Sequence, residues 1–114
     1  MSANALQKSS RLTIADLQQR VADVITKCGF EYESVSERCL LLGEEVGELF
    51  KAVREAEGSM MNSTSTHRSL NDELADVLIT TCVIAHAYNI DLEQAFLHKE
   101  EVIYNRVWKE FTLK

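Results

Sequence analysis

Apolar residues in this chain recur at three- and four-residue steps in four separate stretches, the period of amphipathic helices rather than strands. In the first, Ile14, Leu17, Val21, Val24, Ile25 and Cys28 predict a helix from Thr13 to about Cys28, with Gly29 as its stop. The second opens at Ser34, where Glu37 three residues on completes a capping-box signature, and ends near Gly58. Its apolar stripe is Val35, Cys39, Leu42, Val46, Leu49, Phe50 and Val53. Gly43 and Gly47 lie inside it at a cost of about 1 kcal/mol each relative to Ala, which predicts close backbone approach by a neighbouring helix or a ligand. Residues 58–68 are polar and small and make a long connection for a helix pair, either a mobile loop or a lid over a site. Ser69 is the expected cap of a third helix, with Asp72 at its third position, running to about Tyr88. After the Asn89–Ile90–Asp91 turn, Asp91 caps a fourth helix that extends to about Phe111, and Gln94 completes a second capping-box signature.

The third stretch differs from the others. Leu70, Leu74, Val77, Leu78, Ile79, Cys82, Val83, Ile84 and Ala85 occupy every side of it, as in a buried helix. Three amphipathic neighbours from one chain cover such a helix poorly, so the pattern predicts a homo-oligomer with a dimer as the minimal unit. The 114 residues contain no Pro and only four Gly, which fits long helices with few connections. The expected fold is all-α, a four-helix bundle over residues 12–114 that completes its core by homo-oligomerisation, preceded by a flexible polar tail at residues 1–11. No apolar run approaches the ~18–20 residues that span a bilayer, and the start lacks the apolar segment of a signal peptide. Cys28, Cys39 and Cys82 are odd in number with no CxxC pair, and read as reduced, buried thiols of a cytoplasmic protein rather than as a zinc site with His67 or His86.

Charge adds the chemistry. Twelve basic against eighteen acidic residues give a net charge of −6, the wrong sign for a duplex nucleic-acid binder or an anionic membrane surface. The acidic residues gather on the second and third helices. Glu45 and Glu48 are three apart, as are Glu73 and Asp76, so each pair forms a two-carboxylate claw on one helical face. A solvated acidic face is the plain alternative and stays open for Glu44, Glu55 and Glu57. Glu73 and Asp76 lie on the helix expected to be buried, where unpaired ionised carboxylates are too costly to persist. They must be neutralised, meet cations or bind metal, and their oxygens suit Mg2+ with Mn2+ as a substitute. On the fourth helix Lys99 and Arg106 fall within the stripe of Leu92, Phe96, Val102 and Ile103. Either both snorkel to solvent, or both face the carboxylate centre and make a phosphate site with its metal. A di-iron bundle would need Glu-x-x-His, yet Thr64, Val83 and Ala95 precede the three histidines by three residues.

Glu44-Glu45-x-x-Glu48, a 24-residue interval, then Glu73-x-x-Asp76 resembles the EExxE…ExxD signature of the MazG-type all-α nucleoside triphosphate pyrophosphohydrolases. The likeness runs from about Leu17 through the Ile90-Asp91-Leu92 turn. It implies Mg2+ held by Glu45, Glu48, Glu73 and Asp76, and assembly as a homodimer or homotetramer. It also implies hydrolysis of a nucleoside or deoxynucleoside triphosphate to monophosphate and pyrophosphate, as housecleaning of the nucleotide pool. Glu44 is a second-metal ligand, a water-orienting base alongside Glu45, or a structural residue. By the same likeness Lys99, and more loosely Asn105 and Arg106, act on the triphosphate. The Lys99-to-Asn105 spacing is about two residues longer than the family pattern, which turns a helical side chain by about 200°. Tyr32, Asn71, Trp108, Phe111 and the 58–68 loop are the candidates for base recognition. Two other readings stand beside this one: a non-catalytic helical interaction module, and pyrophosphatase action on another nucleotide-like phosphate ester. Without Glu44, Glu45, Glu48, Glu73 and Asp76 the chain has thirteen acidic residues against twelve basic, so the charge excess belongs to the claws and Glu44 beside them.

Overall fold

A computed structural model describes residues 11–29, 34–58 and 67–112. They form four helices, α1 (Ile14–Cys28), α2 (Val35–Ala56), α3 (His67–Ala87) and α4 (Leu92–Thr112), with no strand among the described residues. The polar tail, apart from Arg11, and residues 59–66 of the long connection lie outside the described residues.

The helix ends follow local chemistry. Thr13 caps α1: its hydroxyl accepts from the Asp16 backbone N–H, and the Asp16 carboxylate accepts from the Thr13 backbone N–H, each at 3.0 Å. The bond from the Thr13 backbone, then that from its hydroxyl, with Arg20 close by, hold the Asp16 carboxyl below its usual range. Gly29, at φ 74, closes α1 with its N–H on the Ile25 carbonyl. The Ser34 hydroxyl accepts from the Glu37 N–H at 3.1 Å and starts α2 as the sequence predicts. Asp91 accepts from the N–H groups of Glu93 and Gln94 and starts α4. The third helix departs from expectation. It begins at His67, so Ser69 lies within it instead of capping it. Ser costs a helix interior only a few tenths of a kcal/mol, too little to stop a helix already under way. Asn89 takes a left-handed φ of 54 at the far end, and the Ile90 N–H reaches back to the Ala85 carbonyl at 2.9 Å.

Val21 and Ile25 of α1 meet Cys82 of α3 in a small core, with Leu17, Val83 and Leu92 packed against it. Gln18 fastens α1 to the α3–α4 turn: its amide donates to the Ile90 carbonyl at 2.8 Å and its oxygen accepts from the Leu92 N–H at 2.9 Å. The largest helix–helix interface is between α2 and α3, while α1 packs on α3 and α4 joins through α1. Glu45 lies beside Asp76, and Glu48 beside Glu73, so α2 and α3 run antiparallel.

Several expected burials fail within the single chain. On α2 the buried positions are Arg38 and Ala52, while Cys39, Phe50 and Val53 of the predicted stripe are exposed. Leu74, Leu78 and Ile79 leave much of α3 uncovered, so α3 is not a buried helix here. Phe96 and Ile103 of α4 are open as well. A Cβ at Gly43 or Gly47 would meet nothing within 4 Å, so no helix of the same chain makes the close approach read from the sequence. Cys82 is buried, and burial pushes its thiol up, but Cys28 and Cys39 are exposed. The sequence pattern marks which faces are apolar and is silent on whether the same chain covers them.

Candidate active site

Arg38, Glu45 and Ala52 are spaced seven residues apart, so they fall on one face of α2, with Leu42 and Leu49 between them. This is the face that α2 turns to α3, as the burial of Arg38 and Ala52 shows. On α3 the matching positions are Leu70, Glu73 and Val77, all half-buried. Glu45 and Glu73 thus occupy seam positions that an ordinary helix pair gives to apolar side chains.

Carboxylate oxygens of Glu45, Glu73 and Asp76 lie within 4.8 Å of one another. Glu45 and Glu73 are half-buried and Asp76 is exposed. Burial raises the Glu45 carboxyl above its ordinary value, and the charges of Asp76, Glu48 and Glu44 raise it further. Burial likewise raises Glu73, followed by Asp76, Glu45, Glu48 and Asp72. Both groups therefore sit in uncompensated negative potential, the condition that a bound cation relieves.

Glu48 is one turn along α2 from Glu45 and stands slightly apart from the three. It lines a narrow cleft with Lys51, Ala52, Glu55 and Glu73. The two claws predicted from sequence thus do converge, three carboxylates in one cluster with Glu48 next to it. Glu44 is exposed and acts on Glu45 through its charge.

The α4 residues are placed elsewhere. Lys99 is exposed, and Asn105 and Arg106 line a shallow hollow of about 300 Å3 with Val102 and Lys109. No cation of α4 is among the charges that shift Glu45 or Glu73. One chain does not bring Lys99, Asn105 or Arg106 to its own carboxylate cluster. Among the residues named for base recognition, Asn71 and Trp108 are exposed. Tyr32 and most of the 58–68 loop lie outside the described residues, as does the Phe111 side chain.

Two cations of α2, one two turns from Glu45 and one lining the cleft, escape the sequence reading. Arg38 is a buried cation on the seam face of α2. Lys51 is the cation lining the cleft beside Glu48. The seven-residue step from Arg38 to Glu45 was a usable signal for the first, and the three-residue step from Glu48 for the second.

The donor set is all oxygen, anionic and clustered, which fits a hard divalent cation and not a soft one. Among the described residues this is the one group of three or more His, Cys, Asp or Glu side chains placed for a metal, and no second cluster with His86 forms. No helix among the described residues is long and apolar enough to cross a membrane.

Comparison with known proteins bears on the family. Residues 33–107 match the model of the MazG nucleotide pyrophosphohydrolase domain, a span that contains Glu44, Glu45, Glu48, Glu73 and Asp76. Among solved structures, the crystal structure of the Bacillus-conserved MazG protein, a nucleotide pyrophosphohydrolase, is similar, at 30% identity and a TM-score of 0.66. The match covers 87% of this chain and 92% of that one. No curated protein matches. The family match over most of the chain and the shared four-helix architecture lead to one assignment: the chain belongs to the MazG nucleotide pyrophosphohydrolase family.

Proposed function

We propose that the chain hydrolyses nucleoside or deoxynucleoside triphosphates to the monophosphate and pyrophosphate, in a Mg2+-dependent reaction that clears unwanted nucleotides from the cytoplasmic pool. The observation that carries this reading is the meeting of Glu45, Glu73 and Asp76 across the α2–α3 seam, in a chain of this family.

Glu45, Glu48, Glu73 and Asp76 would hold Mg2+, with Mn2+ as a substitute. When bound, the ion neutralises phosphate oxygens and lowers the pKa of a coordinated water. Glu44 or Glu45 orients the attacking water and accepts its proton as the new P–O bond forms at the α-phosphorus. The bond from the α-phosphorus to the bridging oxygen breaks in line, and pyrophosphate leaves with that oxygen. Cations stabilise the charge on the departing group. Lys99, Asn105 and Arg106 serve in that role only if a second copy of the chain presents them, since α4 of the same chain packs on α1.

The open apolar surface supports a homo-oligomer, dimeric at least. Leu40, Gly43, Gly47 and Phe50 repeat at three- and four-residue steps along one exposed side of α2, with Leu40 70% and Phe50 69% exposed. The same holds for Leu74 and Leu78 of α3. Large apolar surface of this kind marks an interaction site.

A non-catalytic interaction module would share the apolar surface but have no use for the carboxylate cluster. Thermal unfolding separates the two readings. A nucleotide hydrolase melts higher with Mg2+ and a non-hydrolysable triphosphate together than with either alone. A module shows no shift with any of these additions, and that result would overturn the proposal.

A further inference from the structure

The cleft next to the carboxylate cluster contains its own cation. Glu48, Lys51, Ala52, Glu55 and Glu73 line a cavity of about 90 Å3 between α2 and α3. Glu48 precedes Lys51 by three residues and Glu55 follows it by four, so all three leave neighbouring positions on α2. Glu73 approaches from α3. Ala52 is buried, and its small side chain leaves the space between the helices open. Among the residues lining the cleft Lys51 alone is cationic, and it is exposed.

The electrostatics of the site give this position a task. Four carboxylates with one divalent cation still carry net negative charge, and a triphosphate is a polyanion. A nucleotide that settles there needs positive charge beyond the metal, within reach of the same cleft. Lys99 and Arg106 are not placed to provide it from the same chain. Lys51 is one helical turn from Glu48, on a flexible four-carbon stem that can carry its ammonium to a phosphate oxygen.

We infer that Lys51 is the phosphate-binding cation that each chain supplies to its own carboxylate site, its ammonium donating to a non-bridging oxygen of the pyrophosphate portion of the bound nucleotide. The inference rests on the nucleotide-hydrolase reading and adds a residue to it. The competing role for Lys51 is an ordinary helix-surface pair with Glu48 or Glu55, which would leave nucleotide binding untouched.

Calorimetric titration of the full chain decides between them. Wild type, Lys51→Met and Lys51→Arg are each titrated with Mg2+ alone, then with a non-hydrolysable deoxynucleoside triphosphate at saturating Mg2+. Lys27→Met, on the exposed end of α1, serves as the control. Lys51→Met is expected to weaken the triphosphate analogue by roughly tenfold or more. Its affinity for Mg2+ alone should stay the same or rise, because a like charge has been removed. Lys51→Arg should keep most of the analogue affinity, and melting temperatures should hardly move. Unchanged analogue affinity in Lys51→Met overturns the inference, as does a parallel loss of Mg2+ and analogue affinity, which would indicate a role in shaping the cleft. If wild type with Mg2+ binds no analogue, the hydrolase reading itself falls, an outcome distinct from a failure of Lys51 alone.

Discussion

Glu45 on α2 and Glu73 on α3 bring carboxylate oxygens to within 4.8 Å of each other while both side chains sit half-buried on the helix seam. Two apolar residues at these positions would hold the helices together. Two ionised carboxylates repel each other there, a repulsion that a cation between them would relieve. The helix pair is therefore weakened at the point where the family signature lies.

This repulsion has a definite sign with pH. Both carboxyls are raised above the ordinary value of 4.5, by burial first and then by neighbouring carboxylates. At these positions the folded chain holds its protons more tightly than the unfolded chain does. Their contribution to metal-free stability is therefore greatest below that value and is lost as pH rises through the raised values. Glu45→Gln and Glu73→Gln should each raise the metal-free melting temperature at neutral pH and flatten this slope. Thermal melts in a chelator, from mildly acid to neutral pH, check it. In wild type, Mg2+ at a hundredfold excess over its Kd should add about 2.7 kcal/mol, and both variants should lose that gain.

Gln18 is the strap between α1 and the turn that launches α4. Gln18→Ala removes both bonds and leaves the part-buried Leu92 N–H without its acceptor. The expected loss is about 1–3 kcal/mol in urea unfolding. Gln18→Glu should recover part of it, since a carboxylate still accepts from Leu92 but no longer donates to Ile90.

The exposed α2 side of Leu40, Gly43, Gly47 and Phe50 offers a test of assembly. Leu40→Glu combined with Phe50→Glu should shift the sedimenting species to monomer without loss of helical circular dichroism. Gly43→Ala and Gly47→Ala meet no obstacle within one chain. If no second chain packs there, each should stabilise by about 0.4–1 kcal/mol. On the proposed assembly they should instead weaken association, through side chains placed where two backbones approach. Unchanged sedimentation in all these variants would remove this face from the interface.

Much of the fold was legible because helix ends are set locally. Gly29, Ser34 and Asp91 were readable as caps from residue type and spacing, and they occupy those places. The Thr13–Asp16 box is equally local, with Asp in the place of the usual Glu or Gln. The carboxylate cluster was legible too, since a three-residue step fixes a claw on one face whatever the helix packs against. What one chain covers is not set locally. Phe50 and Cys39 lie on the apolar stripe of α2 yet are exposed in the single chain, and Leu74 and Leu78 are exposed on the helix that neighbours from one chain are expected to cover poorly. Hydrophobic periodicity identifies a sticky face without specifying which molecule covers it. For Lys99 and Arg106 the sequence leaves open whether they snorkel or face the carboxylates, and α4 packs on α1. A helix's own period does not choose its neighbour.

Pyrophosphate release from a panel of deoxynucleoside triphosphates in Mg2+, by wild type beside Glu48→Gln and Asp76→Asn, is the most direct measurement. Wild type should turn over at least one of them. Each variant should lose activity by about a hundredfold or more, with weaker Mg2+ binding and unchanged assembly. A folded wild type that releases no pyrophosphate from any of them, or variants that keep full activity, would contradict the assignment of this carboxylate cluster as the catalytic metal site.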